Sequence, residues 1–127
     1  MTKEEVARSY LSFLEQGKVK EIVTLFTKEG IVISPVYGTL PASEFYETLA
    51  DDTSSSELTF DGLFYEKESD RISLLFDYIW RLKKGNIVKF KVVDILEMTS
   101  ENKIKKLTII YDTVHSREEI KKLRAAT

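Results

Sequence analysis

The chain has 127 residues, with 19 basic and 21 acidic side chains, a formal charge of −2 and no cysteine. That composition excludes disulfides, thiolate metal ligands and a thiol nucleophile, and without a basic excess nucleic acid is not an expected partner. A chain this long fits one domain over residues 1–127 and can bury roughly two-thirds of its unfolded surface unaided. The charged start Met1-Thr2-Lys3-Glu4-Glu5 has no apolar signal core, and no apolar run reaches bilayer length. The expectation is a cytoplasmic protein with no membrane partner.

Taken in order, Thr2 and Glu5 are spaced as a capping box. Val6, Tyr10, Phe13 and Leu14 then recur at helical spacing, and Gly17 suits the stop. A second helix is predicted with Val19, Ile22, Val23 and Phe26 on one stripe and Gly30 closing it. Ile31-Val32-Ile33-Ser34 is a short strand-like run ending at Pro35, and Pro35-Val36-Tyr37-Gly38 reads as a turn or edge segment. The spacing predicts a third helix over about residues 41–50, with Pro41 near its first position and Phe45, Leu49 and Tyr46 on or beside its stripe. Residues 51–56 are polar and turn-rich, and a mobile loop is expected there.

The period then changes to alternation. Residues 58–66, 71–82, 87–98 and 103–114 read as four long strands, with hairpin turns at Gly85-Asn86 and Ser100-Glu101-Asn102. Ser116 with Glu119 reads as a capping box opening a terminal helix that carries Ile120 and Leu123. The layout is α+β, three N-terminal helices packed on one face of a curved antiparallel sheet. Ile72, Leu74, Phe76, Tyr78, Trp80 and Leu82 form the bulkier face and should meet the helices. The other face carries Leu75, Ile79, Val93, Ile95 and Ile110, an apolar patch that predicts a homodimer through the open sheet face.

The residue that stands out is Asp94. On strand 87–98 it shares a face with Phe90, Val92, Leu96 and Met98, with no cation beside it. A carboxyl so placed needs a partner or a purpose. Desolvation raises its pKa; a shift of about three units would keep it protonated near neutrality at a cost of roughly 4 kcal/mol. Either it donates into an apolar ligand pocket, or it satisfies a buried hydroxyl or backbone group. Tyr10 likewise reads as a second donor or as a core tyrosine. His115 reads as a surface residue, Asp112 falls outside the pocket by alternation, and Asp77 faces Lys89 or Lys91 across the sheet. No ligand spacing suggests a metal, and no cofactor is expected.

With these residues in view, the chain resembles the nuclear-transport-factor-2-like (NTF2-like) superfamily from about Val6 to Val114. That group includes SnoaL-like polyketide cyclases, limonene epoxide hydrolase, scytalone dehydratase and ketosteroid isomerase. The residue match is to the ketosteroid isomerases: Arg8-Ser9-Tyr10-Leu11, Gly17, Ile22-Val23-Thr24-Leu25-Phe26, Glu44-Phe45-Tyr46, and Val93-Asp94 followed by Lys103-Ile104. The resemblance implies a cone-shaped NTF2-like fold with Tyr10 and Asp94 as oxyanion-hole donors and Tyr46 hydrogen-bonded to Tyr10. Those isomerases hold such an acid neutral so that it can donate. Their catalytic base is an Asp before Pro-Val-Gly, and here Ser34 stands in that place. The acids of epoxide hydrolase are also missing, with Leu107 and Ile109 at the matching positions of the last strand. A cavity of the family type would draw its lining from Tyr46, Phe26, Phe76, Tyr78, Trp80, Phe90, Val92, Leu96, Leu107, Ile109 and Tyr111.

Three functions follow from this reading. The first is binding of a small hydrophobic, cyclic or aromatic, oxygen-bearing molecule on the Tyr10 and Asp94 donors. The second is an isomerase, cyclase or dehydratase working through an enolate-like state, with Tyr10, Asp94 and a water held by Ser34 as candidate catalytic groups. The third is an interaction domain whose cavity is filled by its own side chains.

Overall fold

The computed structural model describes residues 1–126. Helix α1 (Lys3–Gln16) opens on the expected capping box, Thr2 accepting from the Glu5 N–H and Glu5 accepting from the Thr2 N–H, and ends at Gly17 with φ 68°. Glycine suits that left-handed stop because a Cβ is strained there. Val6, Ala7, Tyr10, Leu11 and Leu14 form the buried stripe. Helix α2 (Val19–Thr24) is only six residues long.

The predicted second helix is therefore shorter than its stripe. Phe26 begins strand β1 (Phe26–Ser34), and Gly30 lies within it rather than closing a helix. The register against the neighbouring strand shifts between Phe26 and Ile31. A Cβ on Gly30 would stand 2.9 Å from the Phe26 ring and 3.1 Å from the Ile104 carbonyl oxygen, so this bulge needs glycine. A turn follows, then β2 (Gly38–Pro41), antiparallel to β1. Helix α3 (Ala42–Asp52) starts after Pro41, which occupies the N-cap rather than the first helical position.

The loop expected at residues 51–56 does not exist. Helix α3 continues to Asp52 and strand β3 (Thr53–Tyr65) begins at the next residue. Serines of this stretch sit on an edge strand, where one row faces water, so their polarity carries no turn. Strands β4 (Arg71–Leu82) and β5 (Ile87–Met98) have the predicted boundaries, joined by a short helical turn (Lys83–Gly85). Strand β6 (Ile104–Ile110) is shorter than expected. Helix α4 (Val114–Ala125) opens without the Ser116–Glu119 box. Asp112 Oδ1 instead accepts from the Val114 N–H at 3.1 Å, starting the helix earlier and leaving Ser116 buried in its first turn.

The sheet has six strands in the order β2-β1-β6-β5-β4-β3. It is mixed rather than wholly antiparallel, because β1 runs parallel to β6. Ile72, Leu74, Phe76, Tyr78, Trp80 and Leu82 all point into the core, where they meet α1, α2 and α3. On the opposite face Asp77 pairs with Lys91 at 3.2 Å. No helix among the described residues is long and apolar enough to cross a membrane.

Candidate functional site

Asp94 lies at the centre of β5, directly opposite Leu74 on β4 and Ile109 on β6. Along its own strand it is flanked on the same face by buried Val92 and Leu96. It is 1% exposed, and its Oδ1 has no hydrogen-bond partner among the described residues. Burial pushes the carboxyl up to about 8, against the smaller opposing effect of the Tyr10 hydroxyl. At neutral pH the side chain is then a carboxylic acid, a donor rather than an anion.

Tyr10 comes from the middle of the α1 stripe and Tyr46 from α3, four residues after the buried Ala42. Their hydroxyls are 2.7 Å apart. Burial, then mutual proximity, raises Tyr10 well above its ordinary value, and burial does the same for Tyr46. Both remain protonated, as a hydrogen-bond chain requires. Phe45 packs edge-on against Tyr46 at 4.8 Å and fixes its ring.

The carboxyl and the Tyr10 hydroxyl face a narrow cavity of about 40 Å³. That is room for roughly three waters at about 10–15 Å³ each. Of the residues singled out in the sequence, Tyr10, Asp94, Ser34, Phe76, Tyr78, Trp80, Phe90, Val92, Ile109 and Tyr111 line it. Phe26, Leu96 and Leu107 do not; they are packed into solid core behind the lining. Tyr46 stands behind Tyr10 and does not line the cavity either. Leu14, Tyr37, Phe45 and Leu49 do line it and were not singled out. For Leu14 and Leu49 the signal was present, since each lies one helical turn from a lining aromatic.

Ser34 ends β1 at the cavity wall, 6% exposed. Its Oγ accepts from the N–H groups of Val36 and Tyr37, both at 3.2 Å. That bonding occupies the lone pairs a general base would need, so Ser34 can donate but not accept a substrate proton.

Aromatic rings continue the wall. Tyr78 stacks on Phe90 with centroids 5.1 Å apart, and Phe90 stacks on Tyr111 at 4.2 Å. Helix α4 is anchored beside Tyr37 and Tyr111. Arg124 makes a two-pronged pair with Asp52 at 2.7 and 2.8 Å, and the Tyr37 hydroxyl donates to the same carboxylate at 2.6 Å. Burial opposes ionisation of Asp52, yet the Arg124 and Tyr37 hydrogen bonds hold it below the usual carboxylate value. Arg117 adds a bond to the Pro35 carbonyl, and Ser116 lies beside the Tyr111 hydroxyl. Among the described residues no group of three or more His, Cys, Asp or Glu side chains is placed to hold a metal ion.

No family model matches the chain, and no curated protein matches it by sequence. Solved structures do match it along most of its length. A hypothetical protein of ketosteroid isomerase-like fold from Catenulispora acidiphila, in complex with trimethylamine, is 14% identical over 87% of this chain and 88% of its own, with a TM-score of 0.76. TerC, co-crystallised with polyporic acid, is 17% identical over 94% of this chain and 98% of its own, with a TM-score of 0.77. An NTF2-like protein of unknown function from Exiguobacterium is 12% identical over 87% of this chain and 98% of its own, with a TM-score of 0.72. At such identities the likeness is one of fold: this chain has the NTF2-like, ketosteroid isomerase-like architecture.

Proposed function

We propose that the protein binds a small hydrophobic, cyclic or aromatic molecule through one oxygen, which accepts hydrogen bonds from Tyr10 and a protonated Asp94. The observation that carries this reading is the buried Asp94 Oδ1, without a partner among the described residues, on a wall that apart from Ser34 is apolar or aromatic. Leaving such a group unsatisfied costs on the order of 1–3 kcal/mol, which a ligand oxygen would recover. A phenol, phenolate or ketone has the right acceptor on an apolar body. Calorimetric titration with substituted phenols tests it. Saturable binding that Asp94→Leu abolishes is the expected result; failure of every phenol and ketone to saturate would favour a cavity filled by its own side chains.

A second reading is an isomerase, cyclase or dehydratase using the same donors on an enolate-like state, without metal or organic cofactor. Its support is the Asp94 carboxyl at about 8, close to the working pH that acid–base chemistry favours. Ser34, with both lone pairs engaged, is not its base. Proton exchange at the carbon next to a bound ketone would support this reading, and silence across a ketone panel would remove it. Ser34→Asp sharpens the test, since a carboxylate there can keep the two turn hydrogen bonds and still accept a proton.

The outer sheet face supports a homodimer. Ile110, Val93 and Leu75 lie directly opposite one another on β6, β5 and β4, and Ile110 is 52% exposed. Ile95 and Ile79 extend the patch.

A further inference from the structure

The inner cavity is too small for the ligand that its chemistry suggests. About 40 Å³ holds a few waters, whereas pockets for ring-sized molecules run to about 300–1,000 Å³. A second space lies against it. A surface cleft of about 410 Å³ opens between the end of α1, α2, α3 and the start of β3. Leu14, Leu49 and Tyr78 line both spaces.

Building on the binding reading above, we infer that the cavity and this cleft are the two chambers of one site, parted by a gate of Leu14, Leu49 and Tyr78. Beside Tyr37 and Tyr111, α4 is tied down through Asp52–Arg124 and Arg117–Pro35. Leu49 is only half-buried, so turning its side chain costs little packing. Tyr78 is held from both chambers, its ring stacked on Phe90 inside and its hydroxyl 3.1 Å from Ser56, which lines the cleft.

The lining of the two chambers assigns the two ends of the ligand. The inner end is the oxygen that meets Tyr10 and Asp94, and the ring that bears it takes the space opened when the gate turns aside. The outer end meets Gln16, Ser55, Ser56 and Glu15, the last being the charged side chain among the described lining residues of the cleft. With a carboxylate there and no cation to answer an anion, the tail is neutral or cationic and rich in hydroxyl or amine donors. A phosphate or carboxylate tail does not fit.

Three phenols with matched rings test this: para-methoxyphenol, para-hydroxyphenyl glucoside and para-hydroxyphenyl glucuronide. The glucoside should bind about tenfold more tightly than para-methoxyphenol, from two or so added hydrogen bonds, and the glucuronide more weakly than the glucoside. Ala50→Trp and Gln16→Trp fill the cleft from different helices and touch only its walls. Either should erase the glucoside's advantage over para-methoxyphenol, and a cooperative urea-unfolding curve shows that the variant is folded. Equal affinities for the methoxy compound and the glucoside, or an advantage that survives both variants, overturns the two-chamber site while the binding reading stands. A protein that binds none of the three defeats both.

Discussion

The Tyr10 and Tyr46 hydroxyls lie 2.7 Å apart in the core, and each carries a single proton. Only one of them can donate in that bond. The Tyr10 hydroxyl also opposes the burial-driven rise of the Asp94 pKa, the effect of a donor facing the carboxyl. With the Tyr10 proton directed toward the site, Tyr46 would be the group that donates to Tyr10. The order Tyr46 to Tyr10 to site makes the two tyrosines unequal. Tyr10→Phe should lower phenol affinity by more than tenfold, because the proposed binding mode puts this hydroxyl on the ligand oxygen. Tyr46→Phe should lower it only a few-fold and cost about 1 kcal/mol of stability for the lost bond. Calorimetric titration and urea unfolding measure the two effects; equal losses of affinity would contradict the order.

Asp94 sets a pH dependence of unusual sign. Its folded value, about 8, is above the ordinary 3.8, so between those values the native state holds a proton that the unfolded chain has released. Stability therefore falls as pH rises from about 4 to 8 and levels off above. Asp94→Asn keeps the shape and cannot ionise. Relative to the wild type it should gain stability steadily across that window, by on the order of 4 kcal/mol at pH 7. Urea unfolding at several pH values reads this directly, and parallel curves for the two proteins would refute it.

Asp52 works in the opposite sense. Its carboxyl is held below 3.8 by Arg124 and Tyr37, so its contribution is present above that value and is lost as pH falls through the lower folded one. Asp52→Ala should cost about 1–2 kcal/mol, mostly from the Tyr37 hydroxyl left unpaired, since a half-exposed arginine adds little. Hydrogen exchange of the α4 amides should quicken in the variant while that of β4 and β5 does not. Uniform quickening would mean that the pair supports the whole core rather than anchoring the helix.

The outer face offers a separate test. Val93→Lys places a charge in the middle of the Ile110–Val93–Leu75 row. Sedimentation should give a dimer for the wild type and a monomer for the variant, with phenol binding retained in both. A wild type that sediments as a monomer would leave this patch without a partner copy.

How far these features were legible depended on how local their causes are. Strands β4 and β5 were readable to the residue because a period of two runs unbroken between clear turns. The burial of Asp94 could be read the same way, one acid on an apolar face. Phe26 misled because its place on the stripe fits a helix, while its partner, Ile104 on the parallel strand β6, is remote in sequence. Asp52 was hidden within a polar stretch that looked like a loop; Arg124, the cation that lets α3 end on a buried carboxylate, lies 72 residues away. Tyr37 reaches the cavity only because Ser34 folds the turn back on itself, and no spacing in the chain announces that.

The central claim is that a carboxylic acid is kept protonated inside an apolar site. Its most direct test is a carbon-13 NMR titration of the Asp94 side-chain carboxyl in the unliganded protein, assigned with Asp94→Asn. The account predicts an apparent pKa near 8, moving upward when a phenol is bound. A carboxyl that titrates near 4 and does not respond to phenol would contradict it.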